Sequence, residues 1–139
     1  MINGVNSREM ILEILLEIEE GEHSHVAIRN ALSKYQFLPK QDRAFITRVC
    51  EGTLEYRIQI DYIINSFSKV TVDKMKPAIR EILRSAVYQL KYMDSVPDSA
   101  VCNEAVKLAQ RKGFYNLKPF VNGVLRTIAR EMDQVQFPK

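Results

Sequence analysis

The segment at 73–93 constrains the fold most, because apolar residues recur along it at the spacing of an α-helix. These residues are Met75, Ile79, Ile82, Leu83, Ala86, Val87 and Leu90. Intervals of three and four positions place them on one side of a helix, in a wide stripe that must be buried. Pro77 fits this helix only within its first turn. The segment therefore predicts a long helix packed against several others.

Six further segments share this periodicity, and no segment alternates convincingly as a strand does. They lie at about 7–20, 25–35, 40–52, 58–67 and 98–112, and from 117 onward. Residue types typical of helix starts and ends flank them: Asn6 with Glu9 as a capping box, Ser24, Asp98 and Asn116 as N-caps, and Gly21 and Gly113 as stops. We therefore predict an all-α bundle of about seven helices in two packed sub-bundles, the first three helices and the rest.

Composition indicates one soluble domain. The chain has 139 residues, 46% of them hydrophobic, and its two cysteines, Cys50 and Cys102, lie in apolar-periodic segments. Their spacing suits neither a zinc site nor a disulfide framework, so we expect buried free thiols. No secretory signal opens the chain, and no apolar run approaches the roughly 20 residues that span a bilayer. We expect a cytoplasmic protein with no membrane partner.

The sequence contains no recognisable catalytic or metal-binding motif. His23 and His25 lie at a turn without partner residues nearby, and the five glycines are too scattered for a nucleotide-binding loop. No Cys-x-x-Cys pair and no serine nucleophile motif occurs. We therefore expect no catalytic residue, no metal ligand and no cofactor in this chain.

Charge is distributed unevenly along the sequence. Residues 1–22 contain six glutamates against one arginine, Arg8, for a net charge of −5, whereas 107–130 contains no acidic residue and six basic ones. These are Lys107, Arg111, Lys112, Lys118, Arg126 and Arg130. One interpretation is a mutually attractive pair of helices within the bundle. The other is a basic surface for RNA, because a patch of one sign suits an anionic partner.

Two rows of side chains are further RNA-binding candidates. Asn122 precedes Arg126 and Arg130 at intervals of four, and its amide could contact a base or phosphate, cap a helix or satisfy a buried backbone group. On the long helix, Arg80 and Arg84 form a similar row, which Lys76 begins and Tyr88 and Tyr92 continue. Cations neutralise phosphates and aromatic rings stack on bases. The alternative for this second row is a solvated basic face with half-buried tyrosines.

Gly123 interrupts the last helix. Glycine costs about 1 kcal/mol relative to alanine inside a helix, so its presence needs a reason. Close approach of another backbone or of a nucleic acid is the usual one.

Several sequence blocks resemble the NusB-like domain family. NEAVKLA at 103–109, a basic pair, Gly113 and FVNGVLR at 120–126 are similar to the C-terminal half of that domain. LPKQDRAF at 38–45 and AIREILRSAVYQL at 78–90 resemble its third-helix entry and its long central helix. The resemblance covers about residues 6–131.

Two branches share this domain: free-standing antitermination factors, which bind boxA-type RNA with a ribosomal-protein partner, and the N-terminal domains of RsmB-type ribosomal RNA cytosine-5 methyltransferases. The glutamate-rich first helix lacks the arginine-rich start typical of the first branch. Blocks at 52–54 and 61–63 and the end of the chain are similar to the second. That resemblance implies a non-catalytic domain, 1–132, that positions ribosomal RNA. Residues 133–139 would begin a linker to a C-terminal methyltransferase domain in cis, which would hold S-adenosylmethionine and the catalytic cysteines.

Three alternatives remain: a complete antitermination factor, a domain that packs on the catalytic domain without touching RNA, and a small independent enzyme. The last is disfavoured because no acid/base or nucleophile arrangement is visible.

Overall fold

The computed structural model describes residues 6–138, which form an all-α bundle and contain no strand. The helices are α1 (Ser7–Glu19), α2 (Ser24–Lys34), α3 (Lys40–Glu55), α4 (Arg57–Phe67), α5 (Pro77–Tyr92), α6 (Asp98–Arg111) and α7 (Lys118–Glu131). Short 3-10 turns occupy Val72–Lys74, Tyr115–Leu117 and Met132–Gln134. The prediction of seven helices and an all-α class is confirmed.

Some of the expected helix ends are confirmed. The Asn6 side chain accepts hydrogen bonds from the backbone N–H groups of Arg8 and Glu9, at 2.9 and 3.1 Å, and so caps α1. Gly21 and Gly113 have φ of +116° and +89°, a conformation that favours glycine, and each follows the end of a helix. Pro77 is the first residue of α5, as its ring requires.

Other expected starts were wrong by a residue or more. Ser24 and Asp98 are the first residues of α2 and α6 and not their caps, because extended backbone at His23 and Pro97 precedes them. Asn116 lies within the turn Tyr115–Leu117, and α7 begins after it without a side-chain cap. The long helix also starts later than predicted, because the turn Val72–Lys74 precedes it as a separate element.

Helix α5 is the centre of the bundle. It packs against α1 and α3 on the N-terminal side of the fold, and against α4, α6 and α7 on the C-terminal side. Its predicted stripe is buried, with Ile79, Ile82, Leu83 and Val87 each at most 2% exposed. The buried apolar residues form one continuous core, so the two predicted sub-bundles share α5.

Two arginines of α3 tie other helix ends to the bundle. The Arg43 guanidinium donates to the carbonyl groups of Leu32 and Tyr35 at 2.8 and 3.1 Å, at the end of α2. The Arg48 guanidinium donates to the carbonyl of Tyr92, at the end of α5, at 2.9 Å. Positive charge is favourable at helix C-termini, so these arginines stabilise the fold.

Both cysteines are buried free thiols, as predicted. Burial raises the pKa of Cys50 to about 12 and also raises the pKa of Cys102. Among residues 6–138, no helix combines the length and apolar character that crossing a membrane demands.

The close approach expected at Gly123 occurs at a different glycine. A Cβ atom on Gly123 would meet no atom within 4 Å, so no described part of the chain packs against it. A Cβ atom on Gly52 of α3 would lie 2.1 Å from Cε1 of Tyr88, whose ring is buried against α3. The explanation of Gly123 by a neighbouring backbone is therefore wrong for residues 6–138, and approach of a nucleic acid stays a prediction.

Alanine substitutions at these two glycines are expected to change stability in opposite directions. Gly52→Ala should lower the free energy of unfolding by about 2 kcal/mol, because the buried Tyr88 ring must move. Gly123→Ala should raise it by up to about 1 kcal/mol, because α7 is regular and open there. Urea unfolding of both variants measures the two effects, and a loss of stability in both would contradict the packing described. If RNA approaches Gly123, the more stable variant should bind RNA more weakly.

Candidate nucleic-acid interface

Helices α6 and α7 run antiparallel and are joined on their outer side by polar side chains. The Lys118 ammonium donates to Oε1 of Gln110 at 2.9 Å, and the Arg126 guanidinium donates to Oδ1 of Asn103 at 2.8 Å. These two hydrogen bonds join opposite ends of the pair, and their register places Lys107 level with Asn122. We call this set the α6–α7 seam: Asn103, Lys107, Gln110, Lys118, Asn122, Arg126 and Arg130.

The seam owes its shape to helical spacing on α7. Lys118, Asn122, Arg126 and Arg130 follow one another at intervals of four, so they lie along one side of the helix. With a rise of about 1.5 Å per residue, the row is about 18 Å long. The opposite side of α7, with Val121, Leu125 and Ile128, is buried in the core. The amphipathic pattern that places α7 in the bundle therefore also keeps the cations outside.

Arg126 is held in place by two amides. Its Nε donates to Oδ1 of Asn122 at 3.1 Å, and its Nη2 donates to Oδ1 of Asn103. No hydrogen bond among residues 6–138 involves its Nη1. Within the described chain, Asn122 neither caps a neighbouring helix nor satisfies a buried backbone group, because its side-chain oxygen accepts from Arg126 of the same helix. Contact of its amide with a base or phosphate stays a prediction. Because both partners are neutral amides, no carboxylate among the described residues pairs with Arg126.

Lys107 and Arg130 are exposed cations of the seam. Their side chains are 63% and 67% exposed and lie 3.2 and 2.9 Å from Glu104 and Glu131. Exposed ion pairs of this kind contribute about 0–1 kcal/mol, so a phosphate can displace the carboxylates at little cost. Lys118 also lies over the exposed ring of Tyr115, 4.5 Å from its centre. That end of the seam combines a cation with an aromatic surface.

Arg111 and Lys112 point to a different neighbour. The Lys112 ammonium lies 3.3 Å from Glu9 and also pairs with Glu13, and Arg111 is 3.7 Å from Glu9. The hydrogen bond with Glu13 is the main reason that the pKa of Lys112 is raised. For these two residues the interpretation of attracting helices is confirmed, because they join the end of α6 to the acidic face of α1.

Arg80 and Arg84 are engaged inside the bundle. Arg84 is 11% exposed, forms two 2.8 Å hydrogen bonds with the Asp61 carboxylate of α4, and pairs with Glu81 at 2.7 Å. Arg80 is 15% exposed, pairs with Glu19 of α1, and donates to the carbonyl of Val72 at 2.9 Å. We call Glu19, Asp61, Arg80, Glu81 and Arg84 the buried charge cluster. It joins α1, α4 and α5, so its arginines have little surface left for RNA.

The tyrosines predicted to continue this row differ in exposure. Tyr88 is only 5% exposed and packs against Gly52, so it offers no surface for a base. Tyr92 is partly exposed and stacks on Tyr56, with 4.5 Å between ring centres. The alternative of half-buried tyrosines fits Tyr92 better than Tyr88.

Acidic residues border a groove next to the ion pairs of Arg111 and Lys112. A groove of about 460 Å³ between α1 and α2 is lined by Glu9, Glu13 and Glu17 above an apolar floor that includes Met10 and Ile14. Carboxylates repel phosphates, so this groove suits RNA poorly. Residues 6–138 also contain no group of three or more His, Cys, Asp or Glu side chains that could hold a metal ion.

Asn103 and Gln110 of the seam were missed by the sequence analysis. They lie seven residues apart on α6, with Lys107 between them, which is the spacing of one helical face. That face carries two uncharged amides, so a search for charge alone does not find it. Only the pairing of α6 with α7 shows that these amides hold the cations of the other helix.

The bundle and its seam define a small helical domain that presents an ordered cationic surface beside an acidic one. The chain belongs to the NusB family, whose sequence pattern matches residues 5–130. It is 35% identical over 124 residues to the probable ribosomal RNA small subunit methyltransferase B of Bacillus subtilis, covering 89% of this chain but only 28% of that protein. The chain therefore spans less than a third of the length of that relative.

Free-standing relatives match over most of their length. The transcription antitermination protein NusB of Dictyoglomus thermophilum is 33% identical over 130 residues, covering 93% of this chain and 85% of that protein. Among solved structures, NusB in a crystal of antitermination factors NusB and NusE with double-stranded RNA superposes with a TM-score of 0.81. That match has 21% identity and covers 89% of this chain and 93% of the other, so it supports the fold.

Proposed function

We propose that this chain is a non-catalytic RNA-binding domain that positions ribosomal RNA for a cytosine-5 methyltransferase domain in the same polypeptide. The observation that carries the proposal is the α6–α7 seam, where neutral amides orient Arg126 between the exposed cations Lys107 and Arg130. Such cations neutralise phosphates without reading sequence. The similarity to the methyltransferase of B. subtilis supports ribosomal RNA as the substrate class.

Within this proposal the chemistry belongs to the other domain. S-adenosylmethionine and the methyl-transfer residues would lie in the C-terminal domain, in the cytoplasm. The buried thiols of Cys50 and Cys102 are parts of the core and take no part in it. The seam is proposed to bind and orient the RNA backbone, with Arg111 and Lys112 at its margin.

A second candidate function is that of a free-standing antitermination factor. The observation that favours it is the match over 85% of the NusB protein of D. thermophilum, a far larger share than for the methyltransferase. The resemblance to that branch implies a small ribosomal-protein partner, and the solved structure of NusB with NusE and RNA supports action together with a second protein. The glutamate-rich α1 counts against it, because the antitermination branch typically begins its first helix with arginines that bind RNA. Here Glu9, Glu13 and Glu17 of α1 line a groove instead, and carboxylates repel phosphates.

The open reading frame is the first test of these two functions. Coding sequence that continues past Lys139 into a methyltransferase domain would support the first proposal. A stop codon at that point would contradict it and favour the antitermination factor. Binding of the 139-residue chain to ribosomal RNA fragments and to boxA-type RNA, with and without the ribosomal protein, then distinguishes the RNA targets. Binding to neither RNA would contradict both functions.

A further inference from the structure

The outward side of α4 carries apolar side chains in contact with solvent. Ile58 is 87% exposed and Tyr62 is 38% exposed, and their spacing of four places them on the same side of the helix. A single exposed apolar residue is ordinary, whereas a contiguous group marks a surface that is covered by a partner. Phe137, 39% exposed, adds to this group. We call Ile58, Tyr62 and Phe137 the α4 patch.

The segment after α7 folds back onto this side of α4. The Tyr62 hydroxyl donates to the backbone carbonyl of Gln136 at 3.1 Å, and the ring of Phe137 lies 5.5 Å from the ring of Tyr62. The Lys91 ammonium is 5.7 Å from the centre of the Phe137 ring. These contacts hold the tail on the domain and extend the apolar surface of α4.

The tail covers α4 only in part. A groove of about 320 Å³ remains between the two, lined by Tyr62, Ser66, Phe67, Gln134, Val135 and Gln136. Ile58, one turn before Tyr62, lies outside the tail's contacts and remains almost fully exposed. The surface is therefore apolar and incompletely covered among the described residues.

We infer that the α4 patch is the docking surface for the protein domain that follows in the same polypeptide. This inference rests on the proposed function, in which a methyltransferase domain succeeds the helical domain. Gln136 and Phe137 of the tail contact Tyr62, so a polypeptide that continues past the tail leaves the helical domain beside the α4 patch. Covalent linkage raises the effective concentration of a following domain, so a modest apolar contact is enough to hold the two domains together.

Chemistry separates this surface from the RNA surface. The α6–α7 seam is rich in cations and belongs to other helices, whereas the α4 patch consists of an aliphatic and two aromatic side chains. One nearby cation, Lys91, lies over the rings of Tyr92 and Phe137, and another, Arg57, precedes Ile58 on α4. An apolar surface favours a protein partner, because RNA affinity depends mainly on phosphate contacts. The two surfaces would let the domain hold RNA on one side and the catalytic domain on another.

The test measures alkylation of a cysteine introduced into the α4 patch, because the two native thiols are buried and react slowly. Cys50 and Cys102 are inaccessible, so Ile58→Cys introduces a reactive, exposed thiol. Its rate of alkylation is measured in the full-length protein as encoded and in the 139-residue chain, by mass spectrometry of the peptide containing position 58. Tyr115→Cys is the matched control, because Tyr115 is 67% exposed in the turn before α7.

We expect alkylation at position 58 to be at least tenfold slower in the full-length protein, with no change at position 115. Equal rates at position 58 in both proteins, or equal slowing at both positions, would overturn the inference. A reading frame without a following domain would overturn it together with the proposed function. Ile58→Glu in the 139-residue chain should leave RNA affinity unchanged, so failure of docking is distinguishable from failure of RNA binding.

Discussion

Reversing the charges of Arg126 and Arg130 together is expected to weaken RNA binding by about 100-fold, since hydrogen bonds to charged groups contribute roughly 1.5 kcal/mol each and 1.4 kcal/mol is tenfold. The side chain of Arg130 is 67% exposed, and Arg126 is oriented by Asn103 and Asn122. Both substitutions to glutamate place carboxylates where phosphates would bind. The slope of log affinity against log salt concentration should also fall by about two units, one for each phosphate that is no longer neutralised.

Fluorescence anisotropy with a short single-stranded fragment of small-subunit ribosomal RNA measures both quantities over a range of salt concentrations. The matched control is Arg29→Glu with Lys40→Glu, which changes net charge equally on exposed positions of α2 and α3. The control should lower affinity much less. Circular dichroism checks that both double variants remain folded. Unchanged affinity and salt slope in the seam variant would remove this surface from the proposal.

Glu81 is expected to make the domain less stable as pH rises from 5 to 8. Burial raises the pKa of Glu81 to about 8, and a hydrogen bond with Glu19 acts in the same direction. In the unfolded chain a glutamate loses its proton near pH 4.3. Between these two values the folded state holds a proton that the unfolded state has released, so the free energy of unfolding falls as pH rises. The stabilising contribution is complete below about pH 4.3 and lost above pH 8.

The neighbours of Glu81 in the buried charge cluster do not reverse the direction of this pH dependence of stability. Arg84 opposes the raised pKa but stays positively charged throughout, and it also pairs with Asp61. Although burial opposes it, hydrogen bonds with Glu81 and Arg80 lower the pKa of Glu19. The contribution of Glu19 therefore changes only at more acidic pH.

Glu81→Gln isolates the effect, because glutamine keeps an uncharged hydrogen-bonding group at every pH. Urea unfolding of both proteins between pH 5 and pH 8 gives the difference in free energy of unfolding. Between pH 5 and pH 8 we expect the unmodified chain to lose up to about 4 kcal/mol of its free energy of unfolding relative to the Glu81→Gln variant, since one pKa unit corresponds to about 1.4 kcal/mol. A difference independent of pH would show that Glu81 is ionised throughout, as a simple ion pair with Arg84.

The sequence pattern identifies the basic residues but does not show which of them are paired with carboxylates. Lys107 and Arg111 look alike in the sequence, yet Lys107 is 63% exposed beside Glu104 of its own helix, whereas Arg111 faces Glu9 of α1. Arg84 also belongs to a regular basic row, but α4 supplies Asp61 to neutralise it. Whether a cation is free or paired depends on residues far away in the chain, which helical spacing cannot identify.

Local patterns along the chain were enough to establish the all-α class, the number of helices, the buried thiols and the family, because helical periodicity and short motifs involve neighbouring residues. They also placed Asn122, Arg126 and Arg130 on one side of α7. Other properties became known only from the packed bundle: α5 is shared by the whole core, Gly52 and not Gly123 receives a close neighbour, and Asn103 orients Arg126. These properties depend on which helices meet and in what register, and packing between distant segments sets both.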